Sequence, residues 1–560
     1  MTTFSARLNL HLERIPDQVA VILQVSGRDD LPITYSQLLA GAQGFANALG
    51  SSGIRSSEVV ILILQHGPGL IHSYFGAVIH GAIPSIMPFL TEKLSPERYR
   101  ADLTALIHVT RPAAIVTYAE FEQEVRAAVK DGDSVRAVIC MEDVSPEVPD
   151  PSRWGGLKCT PENTVLLQHS SGTTGLQKGV ALSHRAVFNQ LDAYGQTLEL
   201  NKNDVIVSWL PLYHDMGLIA GFLLPVLFGI PLVLMSPFDW VRAPYRLLQS
   251  VSKYRGTLSW LPNFAYNFCA RKIRDRHLEG VDLSSWRAVI NCSEPVRPES
   301  HQAFNQRFKD YGLREGVLHT CYAMAENVFA VTQSDLNNNP RVELIDREAF
   351  MRDRIVRDVN GGSSLKVMSS GRLLPNVQIQ IVDENGHVLP ERVVGEIKLQ
   401  SNCMLNEYYN RPDATEKALV DGWYLTGDFG YFSGGELFVS GRKKDVIIVG
   451  GRNVYPQDLE MLTYEVPGVH AGRSVAFGMF DEEQGTEEVV IIAEGDAEDE
   501  MGRQKIADAI RQYVTTNSAI ALRYVKVVGP KWIVKTSSGK TARSANKEKF
   551  LNELKNNGHL

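Results

Sequence analysis

The residues with the clearest chemical potential are Ser170-Ser171-Gly172-Thr173-Thr174-Gly175-Leu176-Gln177-Lys178-Gly179. Three glycines let a backbone turn tightly and bring its N–H groups close to a ligand. Four hydroxyl side chains add hydrogen-bond donors, and Lys178 adds a mobile positive charge. That combination suits a polyphosphate. The spacing is not that of a Walker A loop, in which Gly, any four residues and Gly-Lys-Ser/Thr follow in order; here the fifth residue after Gly172 is Gln177, and Gly179 follows Lys178. A second loop of similar composition, Lys535-Thr536-Ser537-Ser538-Gly539-Lys540, lies near the C-terminal end.

A phosphate loop needs a scaffold that aims it. The apolar, β-prone run 164–168 reads as a buried strand leading into the first loop. The same arrangement recurs up to residue 330. Strand 205–210 leads into Pro211-Leu212-Tyr213-His214-Asp215, and strand 257–261 into Pro262-Asn263-Phe264-Ala265-Tyr266. Strand 287–290 leads into Asn291-Cys292-Ser293-Glu294-Pro295, and strand 317–320 into Cys321-Tyr322-Ala323-Met324-Ala325-Glu326. Ligands of open parallel sheets bind outside the carboxyl ends of the strands, so these loops are expected to converge on one site with residues 170–179.

Upstream, strand-like runs at 19–25, 59–64, 113–116 and 137–140 alternate with amphipathic stretches, one of them a helix opening at Thr34 and running to Leu49. This rhythm predicts parallel α/β sheets. The last hundred or so residues read as a small α+β unit, with a helix from Pro456 to about Tyr464 and strands at 475–478 and 489–493. At 560 residues the chain is too long for one core. A net charge of -7 gives no support for nucleic-acid binding. Six cysteines without a Cys-x-x-Cys pair suggest neither a zinc site nor a disulfide framework, and fit a reducing, cytoplasmic setting. The N-terminus carries no signal-peptide pattern. Residues 216–238 lack charge, but Gly221, Pro225, Gly229, Pro231 and Pro237 interrupt them. They are expected to form a buried helix, a turn and a strand at 232–235, without stable membrane insertion.

The loop at 170–179 resembles the phosphate loop of the adenylate-forming superfamily of acyl-CoA synthetases, luciferases and nonribosomal adenylation domains. Further motifs follow in that superfamily's order and extend the resemblance over essentially the whole chain: Tyr322-Ala323-Met324-Ala325-Glu326, Gly422-Trp423-Tyr424-Leu425-Thr426-Gly427-Asp428, Gly441-Arg442-Lys443-Lys444-Asp445, and Gly450-Gly451-Arg452-Asn453-Val454-Tyr455-Pro456. The resemblance implies ATP and Mg²⁺ as cofactors. It places Ser170, Ser171, Gly172, Thr173, Thr174, Gly175 and Lys178 at the phosphates, and Ser293, Glu294, Pro295, Tyr322, Ala323, Met324 and Ala325 at the adenine. Asp428 falls to the ribose hydroxyls, Arg442 to the nucleotide and Lys444 to the hinge. Glu326, with Thr174, is implied as a magnesium ligand, which suits a hard cation that prefers oxygen. Lys540 is implied as the lysine that meets the acyl carboxylate and the α-phosphate, and His214 as a neighbour of that carboxylate. The implied architecture is a large AMP-binding domain, 1–440, a hinge, 441–446, and a small mobile α+β domain, 447–560.

The long segment between Glu326 and Gly371, with Val342-Glu343-Leu344-Ile345-Asp346-Arg347-Glu348-Ala349-Phe350, resembles the insertion of the fatty acyl-AMP ligases. That branch implies a fatty acid substrate and transfer of the acyl group to the phosphopantetheine thiol of an acyl carrier protein. Residues 521–560 carry nine Lys/Arg against two Glu, a local excess suited to an acidic carrier. Two alternatives stay open: a fatty acyl-CoA synthetase, and a non-catalytic nucleotide sensor on the same scaffold.

Overall fold

The computed structural model describes residues 2–89, 96–169, 178–360, 363–482, 486–518, 520–536 and 539–556. Its largest sheet has seven strands, ordered Leu318–Thr320, Ala288–Asn291, Leu258–Leu261, Ile206–Ser208, Leu232–Met235, Val19–Gln24 and Leu31–Thr34. Every neighbouring pair is parallel except the last. The central strands are buried along their whole length, as in a sheet covered on both faces by helices. A second sheet, Ile83–Ile86, Val59–Leu62, Ala114–Thr117, Ala137–Cys140, is parallel throughout. The expected strands are all present; before residue 330 their ends move by at most two residues, while those expected at 475–478 and 489–493 extend to Val469–Asp481 and Thr486–Gly495. Thr34 starts the helix Tyr35–Ser51 with a reciprocal cap: its hydroxyl accepts from Gln37 N, and Gln37 Oε1 accepts from Thr34 N.

Two expectations need correction. The strand Thr164–His169 belongs to neither parallel sheet. It pairs antiparallel with Gly179–Ser183, whose other edge takes Glu407–Tyr408. The strands on either side of residues 170–177 are therefore antiparallel neighbours rather than members of a parallel sheet. Parallel pairing also covers only the first part of the large domain. Beyond it, Val377–Val382, Gly395–Ser401, Trp423–Ser433, Leu419–Val420 and Glu436–Arg442 form an antiparallel sheet.

The charge-free run is protein core. It opens as a π-helix, Met216–Leu223, continues as the helix Leu224–Phe228, turns at Gly229 with φ 75°, and ends in the central strand Leu232–Met235. Among the described residues no helix is long and apolar enough to cross a membrane.

After the turn Lys443–Asp445 the chain builds a separate core. Val469–Asp481, Thr486–Gly495 and Leu522–Val528 form a sheet, antiparallel then parallel. Alternation along the strands sends Ala476, Ile491 and Ala493 to one face, with Ile510 and Val514 of the helix Glu500–Ser518. Val475, Phe477, Val490 and Ile492 face the other side, with Phe550 of the helix Arg543–Asn556. The helix Pro456–Tyr464 begins with Pro456 at its first position, where its missing N–H costs nothing. Polar contacts dock this unit on the rest: Arg297 to Asp458 at 2.7 Å, and Gln457 Nε2 to Ser440 O at 2.7 Å.

Candidate active site

The loops after Ile206–Ser208, Leu258–Leu261, Ala288–Asn291 and Leu318–Thr320 leave the carboxyl ends of four consecutive strands of the seven-stranded sheet. They carry His214, the helix Asn263–Lys272, the run Ser293-Glu294-Pro295 and the run from Tyr322 to Glu326. Glu294 Oε2 accepts from Phe264 N at 3.0 Å, so the third loop caps the helix of the second. Ser293 holds φ at 70°, with its hydroxyl 3.9 Å from Met216 Sδ at the start of the π-helix. The last loop closes on itself: Met324 N donates to Phe329 O at 2.9 Å, and Ala323 bridges Ala330. Within it Val328, a β-branched residue, sits at φ 62°, a strained value next to Glu326. Asn327 holds that turn by donating to Ala330 O at 2.8 Å and accepting from Ser401 Oγ.

The antiparallel sheet supplies Asp428. Gly427, at φ 70°, takes the left-handed conformation just before it. Asp428 is 9% exposed. It accepts from the Tyr322 hydroxyl at 2.7 Å and faces Arg442 Nε at 3.3 Å. Burial raises its pKa above the usual carboxylate range, against the pull of Arg442, Tyr322 and Lys540. Pairing of Asp428 with Arg442 carries the last strand to Arg442, and Lys443–Asp445 follows as a turn. Lys444 has its pKa lowered, first by burial and then by the charge of Arg442, with Lys178 adding to the effect. Arg442 and Lys178 thus lie near enough for Lys444 to feel their charge, with Arg442 and Lys444 also near Asp428.

Lys540 comes from the small domain. Its turn is tight: Thr536 N donates to Lys540 O at 2.7 Å, Lys540 N to Thr536 Oγ1 at 3.2 Å, and Gly539 between them holds φ 87°. Lys540 lies close enough to Asp428 and Asp215 for its charge to favour both ionised carboxylates. Asp215 pairs with His214, Nδ1 to Oδ1 at 2.5 Å. Burial opposes ionisation of Asp215, yet His214 and Lys540 outweigh it and its pKa falls below the usual value.

Hydrogen bonds, ring contacts and charge interactions therefore link Lys178, Tyr322, Glu326, Asp428, Arg442, Lys444 and Lys540, and Asp215 joins His214 to them. Ser293, Glu294 and Pro295 line the neighbouring loop, while Ala323, Met324 and Ala325 form the backbone between Tyr322 and Glu326. Ser170, Ser171, Gly172, Thr173, Thr174 and Gly175 lie outside the described residues. The sequence reading missed Asp215, although it adjoins His214, and it missed Tyr408. The Tyr408 hydroxyl reaches Glu326 across 82 residues of chain, a contact no local spacing announces.

Comparison with known proteins gives this geometry its family. The description "AMP-binding enzyme" matches residues 8–409. A long-chain-fatty-acid–AMP ligase of Mycobacterium marinum is 30% identical over 543 residues, 88% of this chain and 85% of that protein. A medium-chain-fatty-acid–[acyl-carrier-protein] ligase of Moorena producens is 29% identical over 556 residues, 94% of this chain and 91% of that protein. A solved structure from a study of fatty acyl-adenylate ligases of E. coli and L. pneumophila superposes with a TM-score of 0.90 at 27% identity, covering 100% of this chain and 98% of that one. The L. pneumophila fatty acyl-adenylate ligase in complex with acyl adenylate and pyrophosphate gives 0.75 at 27% identity, covering 98% and 96%. The chain belongs to the AMP-binding enzyme family, as an acyl-activating ligase of the fatty acyl-AMP ligase type. It uses ATP to form an acyl adenylate.

Proposed function

We propose that this ligase activates a fatty acid and then passes the acyl group to the phosphopantetheine thiol of an acyl carrier protein. One observation carries the chemical half: Lys540, on a turn of the separately cored C-terminal unit, lies close enough to Asp215 and Asp428 to favour their ionised forms, with Arg442 Nε 3.3 Å from Asp428. A carboxylate approaching the α-phosphorus of ATP meets a group that is itself negative. Lys540, set between them, screens that repulsion and stabilises the charge that grows as the new bond forms. The carboxylate oxygen bonds to the α-phosphorus, the bond to the bridging oxygen breaks, and pyrophosphate leaves. Asp428 accepts from the two ribose hydroxyls, one at each oxygen. Lys178 and residues 170–175 take the departing phosphates, and His214 adjoins the acyl carboxylate. No side chain forms a covalent bond; positioning and charge carry the reaction.

Glu326 fits a magnesium ion that arrives with the nucleotide. Its partly exposed carboxylate is a hard oxygen donor held by Tyr408. Among the described residues no cluster of three or more His, Cys, Asp or Glu would hold a metal alone, in keeping with an ion bound through one carboxylate, substrate phosphates and a hydroxyl such as Thr174. Bound there, Mg²⁺ would neutralise charge on the pyrophosphate.

The acceptor is argued from the insertion. Val342–Asp346 pairs with Ser364–Met368, and the chain beyond it grips the small domain. Phe350 packs on Tyr455 with ring centroids 5.4 Å apart, Asn453 Nδ2 donates to Met351 O at 3.1 Å, Arg354 to Asn453 Oδ1 at 3.0 Å, and Arg347 to Asn517 O at 2.8 Å. These contacts favour the arrangement that brings Lys540 to the site and oppose a rotation that would open a path for coenzyme A. The carrier-protein ligase among the relatives supports the same acceptor. Pyrophosphate release over a panel of fatty acids tests the first half, and silence with every acid, as a nucleotide sensor would give, overturns it. Coenzyme A and a carrier bearing its phosphopantetheine arm, supplied in turn, test the second; faster acyl-CoA than acyl-carrier formation overturns that.

A further inference from the structure

Tyr408 touches two parts of the site that are far apart in sequence. Its hydroxyl donates to Glu326 Oε1 at 2.8 Å and lies 3.0 Å from the Tyr424 hydroxyl. The Lys178 ammonium sits over its ring, 4.6 Å from the centroid. The residue is only 3% exposed, and its backbone is fixed from both sides. Glu407–Tyr408 pairs with Gly179–Ser183, Tyr409 N donates to Gly179 O at 2.8 Å, and Tyr408 N donates to Thr415 Oγ1 at 3.0 Å. The strand bearing Tyr408 is therefore hydrogen-bonded to the strand that Lys178 enters.

Hydrogen-bond counting gives the network a direction. A carboxylate only accepts, so the single phenol proton of Tyr408 goes to Glu326. Tyr424 must then donate to Tyr408. Tyr424 precedes Asp428 in the same strand, so a chain of two phenols runs from the ribose-side strand to Glu326.

We propose that Tyr408 is a positioning residue that serves two ligand-binding groups at once. Its hydroxyl fixes the orientation of Glu326 toward the cation, and its ring holds Lys178 beside it until phosphate arrives. Attraction between ammonium and ring is weaker than an ion pair with phosphate, so the ring releases the lysine to the nucleotide. This rests on the reading above in which Glu326 takes the metal and Lys178 the phosphates.

The two contacts separate by substitution. Tyr408→Phe keeps the ring and removes the hydroxyl; Tyr408→Leu removes both. The full chain is titrated with Mn²⁺ in the presence of a non-hydrolysable ATP analogue, with free Mn²⁺ read by electron paramagnetic resonance, and with the analogue alone without metal. Tyr408→Phe is expected to weaken Mn²⁺ binding about 10- to 100-fold, as loss of a group supporting a metal ligand does, and to leave metal-free analogue binding unchanged. Tyr408→Leu is expected to weaken both. Tyr424→Phe, which removes only the donor to Tyr408, gives a smaller loss of the same sign, and serves if Tyr408→Leu fails to fold. Wild-type Mn²⁺ binding by Tyr408→Phe overturns the inference. If the wild-type complex itself holds no Mn²⁺, it is the assignment of Glu326 that fails instead.

Discussion

The two sides of the site are built in opposite ways. On the large-domain side every acceptor is held before a nucleotide arrives: Asp428 by Tyr322 at 2.7 Å and Arg442 at 3.3 Å, Glu326 by Tyr408 at 2.8 Å. On the other side Lys540 rides on a short turn of a unit with its own core, docked by polar contacts such as Arg297 to Asp458 and by the packing of Tyr455 on Phe350. The difference matches what each side is proposed to do. Groups that bind must be in place to limit the entropy cost of capture. A group that acts only on the reacting atoms can be delivered, and withdrawn once the adenylate has formed.

Lys540→Ala tests that division most directly. Adenylate formation is expected to fall by roughly 10²–10³-fold, the cost of removing one electrostatic stabiliser of a transition state, while ATP-analogue affinity changes little. Pyrophosphate release and equilibrium titration read the two quantities. Equal losses in both would show that delivery and capture are not separate tasks.

Asp428→Asn should have the reverse signature and a smaller size. Each hydrogen bond to a charged group contributes about 1.5–3 kcal/mol, so ATP affinity falls by roughly 10- to 100-fold. The substitution also has a pH signature. Burial sets the Asp428 pKa above the ordinary carboxylate range, and only the ionised form accepts both ribose hydroxyls. Wild-type ATP affinity therefore declines as pH falls through that raised pKa, sooner than an ordinary aspartate would allow. Asp428→Asn has no such limb, and a limb that survives the substitution belongs to another group.

How much of this was legible depended on whether the signal was local. The runs at 137–140 and 257–261 announced strands through apolar content, and Pro456 announced a helix start; all three stand within a residue of where they were read, although 137–140 is an edge strand with only Cys140 buried rather than a buried one. The carboxyl-end loops were legible because strand order and loop chemistry recur together. Long-range pairing was not. Nothing in 164–168 told a hairpin strand from a parallel one, because a short apolar run looks the same in both. Nor did composition reveal that 364–442 turns antiparallel, that 216–223 takes π geometry, or that Tyr408 faces Glu326.

The insertion separates delivery from withdrawal. If the grip of Phe350 on Tyr455 restrains the small domain, Phe350→Ala should raise acyl-CoA formation and leave pyrophosphate release unchanged. An aromatic pair contributes about 0.5–1.5 kcal/mol beyond its buried area, so the rise is expected to be roughly two- to tenfold. Acyl-CoA measured by mass against time gives the answer. No change would mean that the insertion decorates the interface without restraining it.

The smallest expected effect concerns the surface that meets the carrier. The excess of nine Lys/Arg over two Glu in 521–560 is not all displayed. Arg523 meets Glu488 at 3.1 Å, Lys526 meets Glu553 at 2.7 Å, and Lys549 donates to Trp532 O at 2.7 Å. Arg543 is spent inside, bridging Asp445 and Glu460 at 2.9 and 2.7 Å, where it ties the turn after Arg442 to the small domain's core. Lys531 and Lys555 remain at the surface. With screening over about 8 Å at physiological salt, a few exposed lysines steer an acidic partner only modestly. Acyl transfer to the carrier should then fall with added salt somewhat more steeply than adenylate formation, and charge reversal at Lys531 or Lys555 should slow transfer about twofold through the association rate. Parallel salt slopes for the two half-reactions would remove this face from carrier docking, and would leave the small domain with the delivery of Lys540 as its one electrostatic task.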